Sequence, residues 1–209
     1  VDLGGRHDVA NDVAIQTDGK LVLVGGTDDA NPADNFRQQY ALTRLNSDGS
    51  VDSTFGAGGT VISDFGGTAQ QFSRVALQND GLILAEGVFT DPTHNHAVLL
   101  ARYLANGQLD GSFGNNGELL PKLPGTQPTV SSLWVTDDGH IIIEGVTNSG
   151  GISARFVARL DSAAGALDKT FGGTGVILVD SGTTSYQAVR FDPDASGAIY
   201  SVGQAASTR

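Results

Sequence analysis

The strongest constraint on this chain is an internal repeat of a phrase that carries Phe-Gly near its end. The phrase spans residues 41–59, 100–117 and 157–175. Its aspartates, Asp52, Asp110 and Asp168, follow one another at a spacing of 58 residues. A fixed period in this range is typical of propellers, solenoids and repeat arrays. The repeat therefore constrains the shape of the chain more tightly than it constrains the function.

A second recurring module lies upstream of each phrase. It consists of a short apolar run, a polar turn and another apolar run, at residues 12–26, 74–88, 132–146 and 189–203. This pattern predicts a β-hairpin, because Asp-Gly and Ser-Gly supply the backbone conformations that tight turns need. The four predicted turns are Asp18-Gly19, Asp80-Gly81, Asp138-Gly139 and Ser196-Gly197.

A further strand on each side of the Phe-Gly phrase brings the count to four strands per repeat. A four-stranded unit of this length is the blade of a β-propeller. We therefore predict an all-β, β-propeller-like array of about three and a half repeats of ~58 residues. As a single repeat domain over 1–209, it would hold repeats at about 9–65, 71–121, 130–180 and, in part, 186–209. Both ends fall inside a repeat, so we expect a segment of a longer chain.

The Leu-Asp-x-x-Phe-Gly-x-x-Gly phrase, with its Arg-bearing strand and Asp-Gly hairpin, resembles the bacterial delta-60 repeat. The resemblance covers nearly the whole chain; the residues that carry it are 18–26, 44–59, 80–87, 102–117 and 159–175. It implies a propeller-like domain of large, mostly secreted or surface-associated bacterial proteins, with no general activity and no catalytic residues. Repeat three departs from the pattern, with one extra turn residue in 161–165 and prolines at 121, 124 and 128.

The recurring side chains are expected to be structural. The phenylalanines should lie buried between blades, and the aspartates should accept hydrogen bonds from amides of the Phe-Gly turn and pair with the arginines. These residues are Phe55, Phe113 and Phe171, with Asp52, Asp110 and Asp168, and Arg44, Arg102 and Arg159. Trp134, which replaces an alanine of the other copies, is also interpreted as packing.

Apart from the extra turn residue of repeat three, length varies between repeats in the loop from the second to the third strand. Variable loops on a rigid scaffold are frequent binding surfaces, although they can equally be unconstrained surface. The three loops are 27–38, 89–96 and 147–154. The ligand-binding candidates on this rim are Phe36, Tyr40, Phe89, His94 and His96.

Composition excludes several classes of partner. The net charge is −11, so nucleic acid and anionic membrane surfaces would be repelled. No run of 18 apolar residues occurs, and membrane insertion is not expected. Cysteine is absent, which removes thiolate metal sites and cysteine nucleophiles. No Gly-x-Ser-x-Gly elbow occurs either, and we expect this segment not to be an enzyme.

Metal binding remains a hypothesis for two acidic turns and one histidine pair. Asp192, Asp194 and Ser196 alternate like the oxygen ligands of a calcium loop, and Asn46, Asp48 and Asp52 are spaced similarly. His94 and His96 have a spacing that suits a metal, with Asp91 nearby. The alternative is that these side chains cap their own turns. We expect no cofactor, with calcium as the one candidate ion.

Three functions follow from these features. The first is a non-catalytic scaffold or binding module, secreted or on the cell surface, that contacts protein or glycan through the rim loops. The second is self-assembly, in which incomplete terminal blades pair between chains to form a homo-oligomer. The third is an enzyme or an accessory domain of a secreted hydrolase, with the active centre in the channel or in another domain of the parent protein.

Overall fold

The structure is a computed structural model that describes residues 7–28, 38–67, 70–91, 93, 95–149, 151–180, 191–193 and 199–201. Every regular element among these residues is a β-strand. None of these residues belongs to a helix that is long and apolar enough to cross a membrane. The predicted all-β fold is confirmed.

The strands follow one another along the chain as β1 (Asp8–Ile15), β2 (Leu21–Asp28), β3 (Gln38–Leu45), β4 (Thr60–Ser63), β5 (Gln70–Leu77), β6 (Ile83–Thr90), β7 (His96–Tyr103), β8 (Glu118–Leu119), β9 (Thr126–Val135), β10 (Ile141–Ser149), β11 (Ile152–Leu160), β12 (Val176–Asp180), β13 (Phe191–Pro193) and β14 (Ile199–Ser201).

The strands form three four-stranded antiparallel meanders and one pair. Sheet 1 is β1-β2-β3-β4, sheet 2 is β5-β6-β7-β8, and sheet 3 is β9-β10-β11-β12. The pair β13-β14 holds the positions of a first hairpin. Four strands per repeat, in the predicted order, are confirmed for three repeats.

The chain divides into two compact units, Val1–Leu120 and Pro121–Arg209. The first unit holds sheets 1 and 2, and the second holds sheet 3 and the β13-β14 pair. The strands of each sheet lie close to the predicted repeat bounds. A single repeat domain over the whole length stays a prediction.

The core of the first unit lies between sheets 1 and 2. Side chains alternate between the two faces of a strand, so one face of each sheet supplies the apolar residues. Sheet 1 contributes Val22, Val24, Tyr40 and Leu42, and sheet 2 contributes Phe72, Val75, Ile83, Ala85, Leu99, Ala101 and Tyr103, together with Phe55 from the Phe-Gly turn. Burying this surface is the main force that holds the two sheets together.

The predicted hairpin turns are confirmed in the three sheets. The amide of Gly19 donates to the carbonyl of Gln16 (2.9 Å), and the amide of Gln16 donates to the carbonyl of Lys20 (2.8 Å). Gly19 has a φ of 83°, in the left-handed region that glycine occupies without strain. Gly81 and Gly139 repeat this geometry with φ of 85° and 90°. The fourth turn, at 196–197, lies outside the described residues.

A β-bulge interrupts the first strand of every sheet opposite a glycine of the second strand. The register shifts beside Asn11, Ser73 and Ser131. A Cβ on Gly25 would lie 1.8 Å from the carbonyl oxygen of Val9, and Gly87 and Gly145 are crowded in the same way. The bulged strand therefore passes so close to the second strand that only glycine fits.

The departures of repeat three are local. Its longer turn closes with a hydrogen bond from Gly165 to the carbonyl of Asp161 (2.9 Å), one residue wider than the equivalent turns. Pro128 lies in β9, an edge strand of its sheet, between the register positions of Thr126 and Thr129. An edge strand tolerates the missing amide of proline. The four-stranded blade is kept.

Candidate functional site

The recurring Arg, Asp and Phe form one cluster in each sheet. In sheet 2, Nε of Arg102 donates to Oδ2 of Asp110 (2.8 Å), and the guanidinium lies 4.6 Å from the ring centroid of Phe113. The other oxygen of Asp110 accepts from the amide and the hydroxyl of Ser112, at 3.1 and 2.7 Å. The carboxylate thus fixes the turn that carries the phenylalanine. The predicted Arg–Asp pair and amide contact are confirmed.

Sheets 1 and 3 build the same cluster with nearly the same distances. Arg44 binds Asp52 at 2.7 Å and stacks on Phe55 at 4.7 Å. Arg159 binds Asp168 at 2.7 Å and stacks on Phe171 at 5.0 Å. Phe55 and Phe113 are fully buried, whereas Phe171 is half-buried.

These contacts hold the aspartates in the charged form. The hydroxyl of Ser112 is the main cause that lowers the pKa of Asp110, and Arg102 acts in the same direction against the effect of burial. Asp52 and Asp168 have lowered pKa values, chiefly through the hydroxyls of Thr54 and Thr170. Such groups stabilise turns, and nothing in their geometry leaves a carboxylate oxygen directed at a ligand.

The cluster of sheet 1 also forms hydrogen bonds with sheet 2. Nη1 of Arg44 donates to the carbonyl of Ala105 (2.6 Å), and the amide of Gly56 donates to the carbonyl of Asn106 (2.9 Å). Gly107 lies against Phe55, where a Cβ would be 3.1 Å from the ring. The Phe-Gly turn of one blade therefore binds the turn between the third and fourth strands of the next blade.

The rim candidates divide into buried and exposed residues. Tyr40 was expected on the accessible rim, but its side chain is fully buried, with its ring 4.6 Å from that of Phe72. Its hydroxyl donates to the carbonyl of Val88 (2.7 Å). This placement corrects the prediction for Tyr40, because a third-strand side chain on the inner face joins the core. Phe89 is half-buried against the same core.

His96 is exposed at the start of β7, where Nδ1 lies 3.0 Å from Oγ1 of Thr90. Phe36 and His94 lie outside the described residues. A role for any of these side chains in ligand binding stays a prediction.

The loop before His96 is a polar turn organised by one carboxylate. Oδ1 of Asp91 accepts hydrogen bonds from the amide (2.8 Å) and the hydroxyl (2.7 Å) of Thr93 and from the amide of Asn95 (3.0 Å). Oδ2 accepts from Nδ2 of Asn95 (3.0 Å). The hydroxyl of Thr93 is the largest cause of the lowered pKa of Asp91. Thr93 and Asn95 are exposed, and these hydrogen bonds fix their positions relative to Asp91.

The comparison with known families identifies the repeat. Residues 16–55 and 136–171 match a family described as a domain of unknown function (DUF5122) beta-propeller, which is associated with delta-60 repeats. Each matched segment runs from the first residue of a hairpin turn, Gln16 or Thr136, to the phenylalanine of the Phe-Gly cluster. Sheets 1 and 3 therefore contain segments that are similar to this β-propeller family. No curated protein matches the chain.

The delta-60 resemblance and the propeller-like fold are therefore confirmed. The matched segments contain the Arg–Asp–Phe clusters of sheets 1 and 3. The family description carries no activity, and the site must be judged from its own geometry.

One calcium hypothesis falls on a turn with a structural explanation, and the other falls on a segment of which only Asp192 is among the described residues. In the first propeller repeat, Oδ1 of Asp48 accepts from the amide (2.9 Å) and the hydroxyl (2.6 Å) of Ser50, as a turn-capping side chain does. Asp192 lies in β13, and Asp194 and Ser196 lie outside the described residues. Among the described residues, no group of three His, Asp or Glu side chains could hold a metal ion. Calcium binding stays untested.

One histidine has a more specific setting than its sequence indicated. Nδ1 of His140 lies 3.0 Å from Asp138, and Nε2 lies 3.4 Å from Asp168. Lys20 holds the equivalent place in repeat one, 3.0 Å from Asp52. The two side chains thus each place a second nitrogen beside the cluster aspartate, and the alignment of the hairpin turns could have revealed this.

Two buried glutamates were not predicted from the sequence. Glu86 on β6 and Glu144 on β10 occupy equivalent positions and are each 1% exposed. Burial raises the pKa of Glu86 to about 8, and Oε2 has no hydrogen-bond partner among the described residues. Glu144, whose pKa burial also raises, lies 3.6 Å from Arg155. Repeat one has Val24 at this position, so the pattern looked apolar.

Proposed function

We propose that this segment is a non-catalytic binding module that presents the loops between the second and third strands to a protein or glycan partner. The observation that supports the proposal is a contrast within the repeat. The Arg–Asp–Phe cluster is kept in three sheets with nearly the same distances. In contrast, the connection between the second and third strands differs in length: it comprises residues 29–37 in sheet 1, 91–95 in sheet 2 and 150–151 in sheet 3. A scaffold that fixes its blades and varies one rim is suited to recognition.

The β6–β7 turn is the best described part of this rim. Thr93, Asn95 and His96 are exposed, and the hydrogen bonds of Asp91 hold the backbone of Thr93 and Asn95 in place. A turn ordered before binding loses little conformational entropy when a ligand arrives, which favours affinity. Its hydroxyl, amide and imidazole groups suit the hydroxyl groups of a glycan or the backbone of a peptide.

The proposal includes the location that such a module would need, outside the cell or at its surface. The chain has no cysteine, so it contains no thiol that the oxidising environment outside the cell could modify. An enzymatic role has no support from the described side chains, since His140 and the cluster aspartates are engaged with neighbouring groups.

A glycan array and a random peptide display library would serve as the two probes. The chain is compared with Asn95→Ala and His96→Ala, which remove exposed groups at this rim. Thr17→Ala, on an exposed hairpin turn at the opposite ends of the strands, is the matched control. Binding that both rim variants weaken by about tenfold and the control leaves unchanged supports the proposal, since tenfold corresponds to one good polar contact.

Binding that depends on Thr17 and not on the rim would contradict it, as would no selection from either probe.

A further inference from the structure

Repeat two contains two Asn-Gly pairs, Asn106-Gly107 and Asn116-Gly117, and the chain has no other. Asparagine is a thermolabile side chain, and it loses its amide most readily before glycine, where no side chain hinders the next backbone nitrogen. The equivalent pairs of repeat one are Asp48-Gly49 and Gly58-Gly59. The two Asn-Gly pairs lie in the same sheet, and their surroundings differ.

Asn106 is held by the contact between sheets 1 and 2. Its Oδ1 accepts a hydrogen bond from the amide of Gln108 (3.0 Å), and its carbonyl accepts one from the amide of Gly56 (2.9 Å). Gly107 is buried, and a Cβ there would lie 3.1 Å from the ring of Phe55. The carboxamide can therefore reach the nitrogen of Gly107 only after it leaves Gln108 and the turn moves away from Phe55.

Asn116 lies on an exposed two-residue turn of the same sheet. The amide of Glu118 donates to the carbonyl of Asn115 across this turn (3.3 Å). Asn116 and Gly117 both have a positive φ, 53° and 100°, as in the primed turns that favour Asn-Gly. Among the residues that the structure describes, the carboxamide of Asn116 has no hydrogen-bond partner. Its rotation toward the next backbone nitrogen therefore breaks no side-chain contact.

The glycine amides do not distinguish the two pairs. The amide of Gly107 donates to the carbonyl of Leu104 (2.9 Å), and the amide of Gly117 donates to that of Phe113 (2.8 Å). One such bond must break at either pair, so this cost cancels in a comparison of the two. The remaining difference is the side-chain hydrogen bond and the blade contact, which only Asn106 must give up.

We propose that Asn116 is a site of spontaneous modification, at which the folded chain converts asparagine to aspartate and isoaspartate. The backbone nitrogen of Gly117 attacks Cγ of Asn116 and forms the new N–Cγ bond of a succinimide. The Cγ–Nδ2 bond breaks, and Nδ2 leaves as ammonia together with the proton of the glycine amide. One water molecule then opens the ring at either carbonyl, which gives aspartate or a backbone that runs through the side chain.

The two products differ in their effect on sheet 2. Aspartate tolerates a positive φ as asparagine does. Isoaspartate lengthens the backbone beside two hydrogen bonds, from the amide of Arg102 to the carbonyl of Gly117 (2.9 Å) and from the amide of Gly117 to Phe113. Arg102 and Phe113 belong to the Arg–Asp–Phe cluster, so isoaspartate should weaken this cluster and aspartate should not.

Incubation of the folded chain at mildly alkaline pH, followed by mass spectrometry, tests the proposal. Tryptic cleavage after Arg102 and Lys122 gives one peptide, residues 103–122, that contains both Asn-Gly pairs. Its fragment ions place the converted amide at one asparagine or the other. We expect conversion at Asn116 to be about tenfold faster than at Asn106, because one additional hydrogen bond corresponds to about a factor of ten in rate.

The chain unfolded in urea sets the length of the incubation and is the matched control. Both pairs lose their contacts there and should react at nearly equal rates. Asn116→Gln should remove the fast conversion and leave that of Asn106 unchanged, because the larger ring of a glutamine closes far more slowly. Asn116→Asp should resist urea as well as the original chain, whereas the purified isoaspartate product should unfold at a lower urea concentration.

Conversion at Asn106 that equals or exceeds conversion at Asn116 in the folded chain would overturn the proposal. So would a folded chain that reacts at neither asparagine while the unfolded chain reacts at both, because the hydrogen bond from Gly117 to Phe113 would then protect the pair.

Discussion

The hydroxyl of Tyr40 in sheet 1 donates a hydrogen bond of 2.7 Å to the carbonyl of Val88 in sheet 2. The ring also packs on Phe65 and Phe72, with centroid distances of 5.3 and 4.6 Å. One side chain thus joins the two blades by apolar contact and by a directional polar bond. It also shows how a residue that looked accessible in the sequence becomes part of an interface.

Removing the hydroxyl of Tyr40 should weaken the interface between sheets 1 and 2. We expect Tyr40→Phe to lower the free energy of unfolding by about 1 kcal/mol, because a buried carbonyl loses a hydrogen bond. Tyr40→Ala should cost about 4 kcal/mol, since it also leaves a cavity. Urea denaturation followed by far-ultraviolet circular dichroism measures both. A Tyr40→Phe variant as stable as the original would show that the bond adds nothing.

The glycine opposite the bulge should not accept a side chain. A Cβ on Gly87 would lie 2.3 Å from the carbonyl oxygen of Gln71, so we expect Gly87→Ala to destabilise the chain by about 3 kcal/mol through overpacking. At Gly111 no atom lies within 4 Å of the point that a Cβ would occupy, and its φ is not positive. Gly111→Ala should change stability by less than about 0.5 kcal/mol. Equal losses in the two variants would refute the explanation by close approach.

The buried Arg–Asp cluster of sheet 2 should tolerate the loss of its charge poorly. Asp110→Asn keeps the shape of the side chain but takes the carboxylate from Arg102, which is 3% exposed. We expect a loss of about 3 kcal/mol, as for other broken buried pairs. Asp168→Asn should cost less, because Arg159 is 28% exposed at the side chain and water can replace the carboxylate. Chemical denaturation of both variants provides the comparison.

Acid should weaken all three clusters. The folded-state pKa values of Asp52, Asp110 and Asp168 lie below the ordinary value, so their stabilisation is complete above the pKa of the unfolded chain, near 4. It is lost as the pH falls from there toward the folded-state pKa values. Asp110→Asn should therefore show a shallower decline in stability below about pH 4 than the original chain. Parallel declines would mean that the pKa of Asp110 is not lowered.

Glu86 should make the chain less stable as the pH rises. Its pKa is raised from 4.5 to about 8, so the folded chain holds a proton that the unfolded chain has released in between. Stability should fall by about 1.4 kcal/mol per pH unit over this window. Glu86→Gln removes the titration, and we expect it to be more stable than the original by about 4 kcal/mol at pH 8 and nearly equal near pH 4.5. Thermal unfolding at several pH values checks this.

Glu144→Gln is the comparison for Glu86→Gln. It takes away a carboxylate that lies 3.6 Å from Arg155, so its gain at high pH should be smaller or reversed. If both variants gain equally, the nearby guanidinium does not stabilise the charged form of Glu144.

The period, the Asp-Gly turns and the Arg–Asp–Phe phrase were sufficient to predict three four-stranded blades. These features are local: a turn residue needs its own φ, and Asp110 reaches Ser112 and Arg102 across a few residues of turn. Interactions within one repeat recur with the period, so the sequence by itself determined the blades, their hairpins and the packing role of the phenylalanines.

The tertiary structure decided what depends on a neighbouring strand or blade. The burial of Tyr40 and the close approach at Gly87 arise only when two blades, or a bulged strand and its partner, come together. The raised pKa of Glu86 follows from burial, which is not written in a local pattern. Identical repeat positions acquire different surroundings along an array, because each blade packs on its neighbours and not on itself.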